Sequence, residues 1–121
     1  AGPSAPTGGE SVIIGFLGGL LVYASILFFD SKLKIDDPVG AISAHGIVGI
    51  FGVMVVPFTN ADASFLMQFI GVLSIAGFGF IASYGAVYVI NMFMPIRATD
   101  EEQALGLDAS EIGVEAYPEF K

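Results

Sequence analysis

The sequence predicts an all-α integral membrane protein with three transmembrane helices, its N-terminus outside and an acidic C-terminal tail in the cytoplasm. Three observations predict it. The chain has 121 residues, 55% hydrophobic and only 13% charged, about half the charged fraction of a soluble domain. The charges are also segregated. None lies between Ser11 and Phe29 or between Ser64 and Arg97, and between Val39 and Phe58 the sole ionisable group is His45. Uncharged apolar runs of roughly 18 or more residues read as membrane spans. Finally, three spans leave Lys32, Lys34, Arg97 and Lys121 on one side and no Lys or Arg on the other, which makes the basic side cytoplasmic.

Taken in order, residues 1–11 hold two Pro and three Gly and read as an extracytoplasmic entry loop. The first span is expected at about 12–29, with Gly15, Gly18 and Gly19 on one side for close helix approach. A short polar loop, 30–37, leads to Asp36-Asp37-Pro38. An Asp ahead of a Pro marks a helix start, because the carboxylate caps free N–H groups and Pro suits the first helical position. The second span is expected at about 38–58. Gly46, Gly49 and Gly52 form a small-residue ridge along it, which predicts helix packing and the most buried position of the three. After a short loop, the third run is expected at about 65–95 and ends at Pro95. It is longer than the membrane core requires, so it should tilt or kink, with Gly77 and Gly79 the expected kink. Residues 12–96 thus form the membrane domain and 97–121 the acidic cytoplasmic tail.

The net charge of −8 does not signal an acidic cleft, because seven of the twelve acids follow Arg97. Four Lys and Arg cannot form a phosphate-binding face, so nucleic-acid binding is not expected. The chain has no cysteine, hence no disulfide framework and no thiolate metal site. No basic leader precedes the first apolar run. The chain begins with Ala1, so it reads as processed or as a piece of something longer.

His45 is the one candidate for membrane chemistry. Some eight residues into the second helix, it would lie roughly 12 Å from the cytoplasmic end. An ionisable group at that depth is costly unless it faces protein or a water-filled path. The alternative is a neutral imidazole hydrogen-bonded to a neighbouring helix. Small neighbours, including Ala41, Ala44 and Gly46, would let another helix or a small solute approach the ring. One histidine without a nearby carboxylate makes neither a catalytic triad nor a metal cage. The chain is therefore not expected to be an enzyme, and no cofactor is expected. Gln68, Ser74, Ser83 and Asn91 read as interhelical hydrogen-bonding residues.

The run DDPVGAISAHGIVGIFGVM, Asp36–Met54, resembles the penultimate transmembrane helix of the ammonium transporter (Amt/Mep/Rh) family. The run GLDASEIGVEAYP, Gly106–Pro118, resembles that family's cytoplasmic tail, with Gly106, Leu107, Asp108, Gly113, Ala116 and Tyr117 carrying the likeness. The resemblance covers nearly the whole chain. It implies the last three helices of an eleven-helix fold that assembles as a trimer in the inner or plasma membrane. It implies a narrow apolar pore with two central histidines, of which His45 matches the second, and a pore-lining position at Ala41. It implies ammonium or ammonia as the solute and a PII-type signal protein as a regulator at the tail. Ile112 stands where the family often has His, and residues 59–64 make a shorter connection than the family's.

Three helices cannot enclose such a pore alone. The expected function is therefore part of an ammonium or ammonia channel that needs further helices or subunits in the lipid. The alternative is a non-transporting structural subunit of a larger membrane complex, derived from an ammonium transporter.

Overall fold

A computed structural model describes residues 2–114 and 118–119. Three helices in it are long and apolar enough to cross a membrane: Gly8–Leu33, Ala41–Thr59 and Phe65–Phe93. The chain divides into two compact units, Ala1–Phe78 and Gly79–Lys121.

In the first unit, α1 (Gly8–Phe28) begins four residues before the expected Val12. A capping box sets the start. The Thr7 hydroxyl accepts from the Glu10 N–H at 3.4 Å, and the Glu10 carboxylate accepts from the Thr7 N–H at 2.7 Å. Reciprocal bonds of this kind satisfy donors that a helix start otherwise leaves open. The helix continues as a π-helical turn, Phe29–Leu33, and Lys34 stops it in the left-handed conformation with φ 57°.

The second span does not begin at Pro38. Pro38 and Val39 form a turn closed by the Gly40 N–H on the Asp37 carbonyl at 3.0 Å. Gly40 then takes φ 67°, a left-handed conformation that glycine adopts without strain. The span opens as a π-helical segment, Ala41–Ile47, and becomes α2 (Val48–Thr59). Pro57 lies inside α2. Having no N–H, it sends no hydrogen bond to the Val53 carbonyl.

The second span packs against α1. A Cβ at Gly18 would stand 3.5 Å from Val48 Cγ1, and one at Gly40 would stand 3.9 Å from Ile26 Cδ1. Gly18, Ser25 and Ser43 are buried along this seam. At the far end Gly2 rests on Val56, itself only 7% exposed. The turn Asn60–Ser64, with the Asn60 Oδ1 accepting from the Asp62 N–H, leads into α3 (Phe65–Phe93). The rings of Phe58 and Phe65 meet edge to face across that turn at 5.0 Å. Beyond it, residues 65–78 of α3 nowhere approach the backbone of α1 or of the second span closely.

The second unit starts within α3, which runs unbroken past Gly79 to Phe93. Phe80, Tyr84 and Tyr88 stack along it with ring centroids 6.1 and 6.5 Å apart. Pro95 cannot continue a helix, and the Asn91 Oδ1 accepts from the Ile96 N–H at 3.1 Å just beyond the end. A second capping box, Thr99 with Glu102, starts the short α4 (Asp100–Leu105). A π-helical turn, Asp108–Ile112, follows, ended by Gly113 at φ 76°.

Candidate functional site

His45 lies in the π-helical segment Ala41–Ile47. Such segments insert an extra residue into the turn and occur frequently at functional sites. Asp37 holds this one in place. Its two carboxylate oxygens accept from the N–H groups of Ile42 and Ser43 at 3.0 and 2.9 Å. Burial works to raise the Asp37 pKa. The Ile42 and Ser43 N–H donors outweigh it and hold the carboxyl below its ordinary value. Asp36 is exposed and Pro38 sits in the preceding turn, so of the three helix-start residues Asp37 makes the capping bonds.

The same segment turns two faces to different surroundings. Ser43 faces the α1 seam, fully buried at 0% exposed. His45 and Ala41 are exposed. The His45 ring opens onto a groove of about 640 Å³ between the second span and the first half of α3. One wall carries His45, Gly46, Gly49 and Val53, and the other carries Gln68, Gly71 and Val72. His45 marks one end. Val56 and Gly2 line the other, about 16 Å further along the span at 1.5 Å per residue.

A Cβ at Gly46 or Gly49 would meet no atom within 4 Å, and Gly52 is half-buried. Where the chain does pack, the close approach falls at Gly2, Gly18 and Gly40 instead. Among the described residues no three His, Cys, Asp or Glu side chains converge as a metal site would require. The groove therefore offers an imidazole and a carboxamide in an apolar, small-residue lining. That set can bind or relay a proton and accept a small hydrogen-bonding solute, but it holds no activated nucleophile.

In the tail, Gly106 takes φ 97°, and a Cβ there would stand 2.9 Å from Asp108 Oδ1. Leu107 is exposed, and Asp108 opens the turn that Gly113 ends. Ala116 and Tyr117 lie outside the described residues. Sequence reasoning missed the groove itself and the place of Gln68 in it.

Comparisons with known proteins agree on one family. The Ammonium Transporter Family matches residues 3–117. An ammonium transporter of Bacillus subtilis is 30% identical over 88% of this chain and 30% of its own length. Ammonium transporter Amt1 of Haloferax mediterranei is 33% identical over 90% of the chain and 22% of its own. A putative ammonium transporter of Synechocystis is 31% identical over 93% and 26%. The chain thus spans less than a third of the length of these relatives. No solved structure matches.

Proposed function

Because the chain belongs to the ammonium transporter family, we propose that it forms part of an ammonium or ammonia channel, with His45 as a pore residue and conduction dependent on further helices. The observation that carries this reading is the exposure of His45 on an apolar groove lined by glycines. Imidazole facing hydrocarbon is unfavourable. Imidazole facing a narrow solute path closed by other helices is not, and there it can exchange a proton with the solute. Ala41, one turn earlier, would line the same path. Gly46, Gly49 and Gly52 would let the closing helices approach.

The orientation follows from the basic residues, with Lys32, Lys34 and Arg97 on the cytoplasmic side together with the tail. The tail motif, Gly106–Asp108 with Gly113, Ala116 and Tyr117, would rest on cytoplasmic loops of the assembly and offer a surface to a PII-type regulator. The assembly would be a trimer in the inner or plasma membrane, as the family resemblance implies.

The test uses the membrane-assembled protein and uptake of radiolabelled methylammonium. His45→Leu should reduce uptake by about tenfold or more, a barrier increase of about 1.4 kcal/mol. Unchanged uptake in that variant would remove His45 from the path. The second reading is a structural subunit that moves no solute, to which the glycine faces of the spans and the short 59–64 connection would be suited. Assembly without uptake, in the unmutated protein, would establish that one.

A further inference from the structure

We propose that residues 2–7 form a strap that closes the outer end of the groove and must lift for a solute to reach His45 from that side. The inference rests on the reading of the groove as a solute path, and it says where that path is gated and by which residues.

The strap is stiff and rooted at one end. Pro3 and Pro6 each hold φ at about −65° and donate no backbone hydrogen bond. Pro3 takes the second place of a four-residue turn that the Ala5 N–H closes on the Gly2 carbonyl at 3.2 Å. Proline suits that place because its φ is already set. The root is the capping box of α1. Thr7 and Glu10 bond reciprocally, and the Ser11 hydroxyl donates to the Thr7 carbonyl at 2.9 Å.

The other end of the strap rests on the second span. Gly2 has φ 60°, and a Cβ there would stand 3.5 and 3.6 Å from Val56 Cγ1 and Cγ2. Both residues line the groove at the end opposite His45. Val56 is buried at 7% exposed, whereas every other residue on the groove's walls is exposed or half-buried. Burial in the groove therefore concentrates under the strap, and this end is the closed one.

What seats the strap is weak. Among the described residues it sends no hydrogen bond to the second span, and the contact of Gly2 with the Val56 methyls is apolar and small. Lifting it breaks no hydrogen bond, while the bonds at Thr7 keep it attached to α1. A stiff arm, a fixed root and a weak seat are what a lid requires. On the orientation drawn from the basic residues, this end faces outward.

The chain has no cysteine, so Val53→Cys, on the groove wall, gives it one thiol that can be followed by mass. The assembled protein, in right-side-out vesicles, is exposed to the membrane-impermeant cationic reagent 2-(trimethylammonium)ethyl methanethiosulfonate. Labelling should be slow with the native strap. Gly2→Ala should speed it about fivefold or more, the change expected when a side chain is forced into a left-handed position. Val56→Ala removes the two methyls under Gly2, leaves the strap's backbone alone and should speed labelling less. Size-exclusion elution identical to the unmutated protein serves as the folding control. Gly2→Cys combined with Val56→Cys should form a disulfide on oxidation, and that lock should cut methylammonium uptake several-fold until it is reduced. Equal labelling in the three backgrounds would overturn the proposal, as would failure of the disulfide to form or full uptake by the locked protein. Equal labelling with His45-dependent uptake intact would sink the strap alone. Uptake insensitive to His45→Leu, with labelling still governed by Gly2 and Val56, would sink the channel role and leave the strap as the cover of the groove.

Discussion

Gly18 and Gly49 are both glycines inside uncharged membrane spans, and they meet opposite surroundings. Gly18 faces Val48 across the seam of α1 and the second span, where an added Cβ would stand 3.5 Å from Val48 Cγ1. Gly49 opens on the groove, where an added Cβ would meet nothing within 4 Å. The seam is filled from within this chain and the groove is not. Hydropathy identifies both helices as membrane-spanning, but it does not distinguish a face already covered from one waiting for a partner.

The sharpest way to break this contrast is to add bulk on each side. Gly49→Leu should disrupt assembly of the full protein, seen as loss of the native mass on size exclusion in mild detergent. Overpacking a filled site costs about 1–3 kcal/mol, and in a multi-helix contact that is enough to dissociate it. Gly18→Ala should be tolerated with the native mass intact, because 3.5 Å is an ordinary van der Waals distance. Normal assembly of Gly49→Leu would mean that nothing packs in the groove, and the contrast between the two faces would disappear.

A smaller effect is expected where the two faces share their anchor. Asp37 fixes the segment that presents Ser43 to the seam and His45 to the groove. Asp37→Asn should lower the thermal midpoint of the detergent-purified protein by more than Asp36→Asn, since Asp36 is exposed and contributes no capping bond. The pH dependence has a definite sign. The Asp37 carboxyl is held below its ordinary value in the folded protein. Its contribution is therefore complete above the unfolded pKa of about 3.9 and is lost as pH falls through the lower folded value. Thermal midpoints of the unmutated protein and Asp37→Asn should differ at pH 6 and converge on strong acidification, with pH 6 and the acid limit chosen as about two units or more to either side of that pKa. A constant difference would assign the loss to packing instead.

Much of this arrangement was legible in the sequence, and the exceptions have physical causes. Charge segregation located all three spans, because the cost of a charge in hydrocarbon leaves little freedom in where charges fall. Thr7-x-x-Glu10 and Thr99-x-x-Glu102 are readable capping boxes that would have placed two helix starts correctly. The π-helical opening of the second span was not readable. It depends on a carboxylate reaching N–H groups five and six residues ahead, and Pro38, which suits a first helical position, suggested an earlier start. That shift leaves His45 five residues into the span, closer to its end than the expected eight. The groove was not readable either, because helix periodicity does not say which of two apolar faces finds a neighbour within the same chain. Gln68 was recognised as an interhelical residue, yet nothing in the sequence placed it on the wall of a groove opposite His45 and Gly49.

In the tail the contrast recurs between a strained position and an exposed one. Gly106→Ala should cost about 1–3 kcal/mol locally, because φ 97° disfavours any side chain and the new Cβ would press on Asp108 Oδ1 at 2.9 Å. The loss should appear as faster hydrogen exchange across Asp108–Ile112. Thr99→Ala should cost less, about 1 kcal/mol, confined to α4. It removes the hydroxyl that accepts from the Glu102 N–H at 3.3 Å and leaves the Thr99 backbone N–H, which donates to the Glu102 carboxylate at 2.7 Å. That backbone bond, then the hydroxyl, holds the Glu102 carboxyl below its ordinary value. The Glu102 contribution is therefore present above the unfolded pKa of about 4.3 and fades as pH falls through the lower folded value. In Thr99→Ala the backbone donor still acts, so exchange at residue 102 should rise about fivefold at neutral pH, the equivalent of about 1 kcal/mol, and still respond to acid. Exchange that stops responding to acid in Thr99→Ala would place the whole effect on the hydroxyl, and α4 would then depend on one side chain rather than on a reciprocal pair.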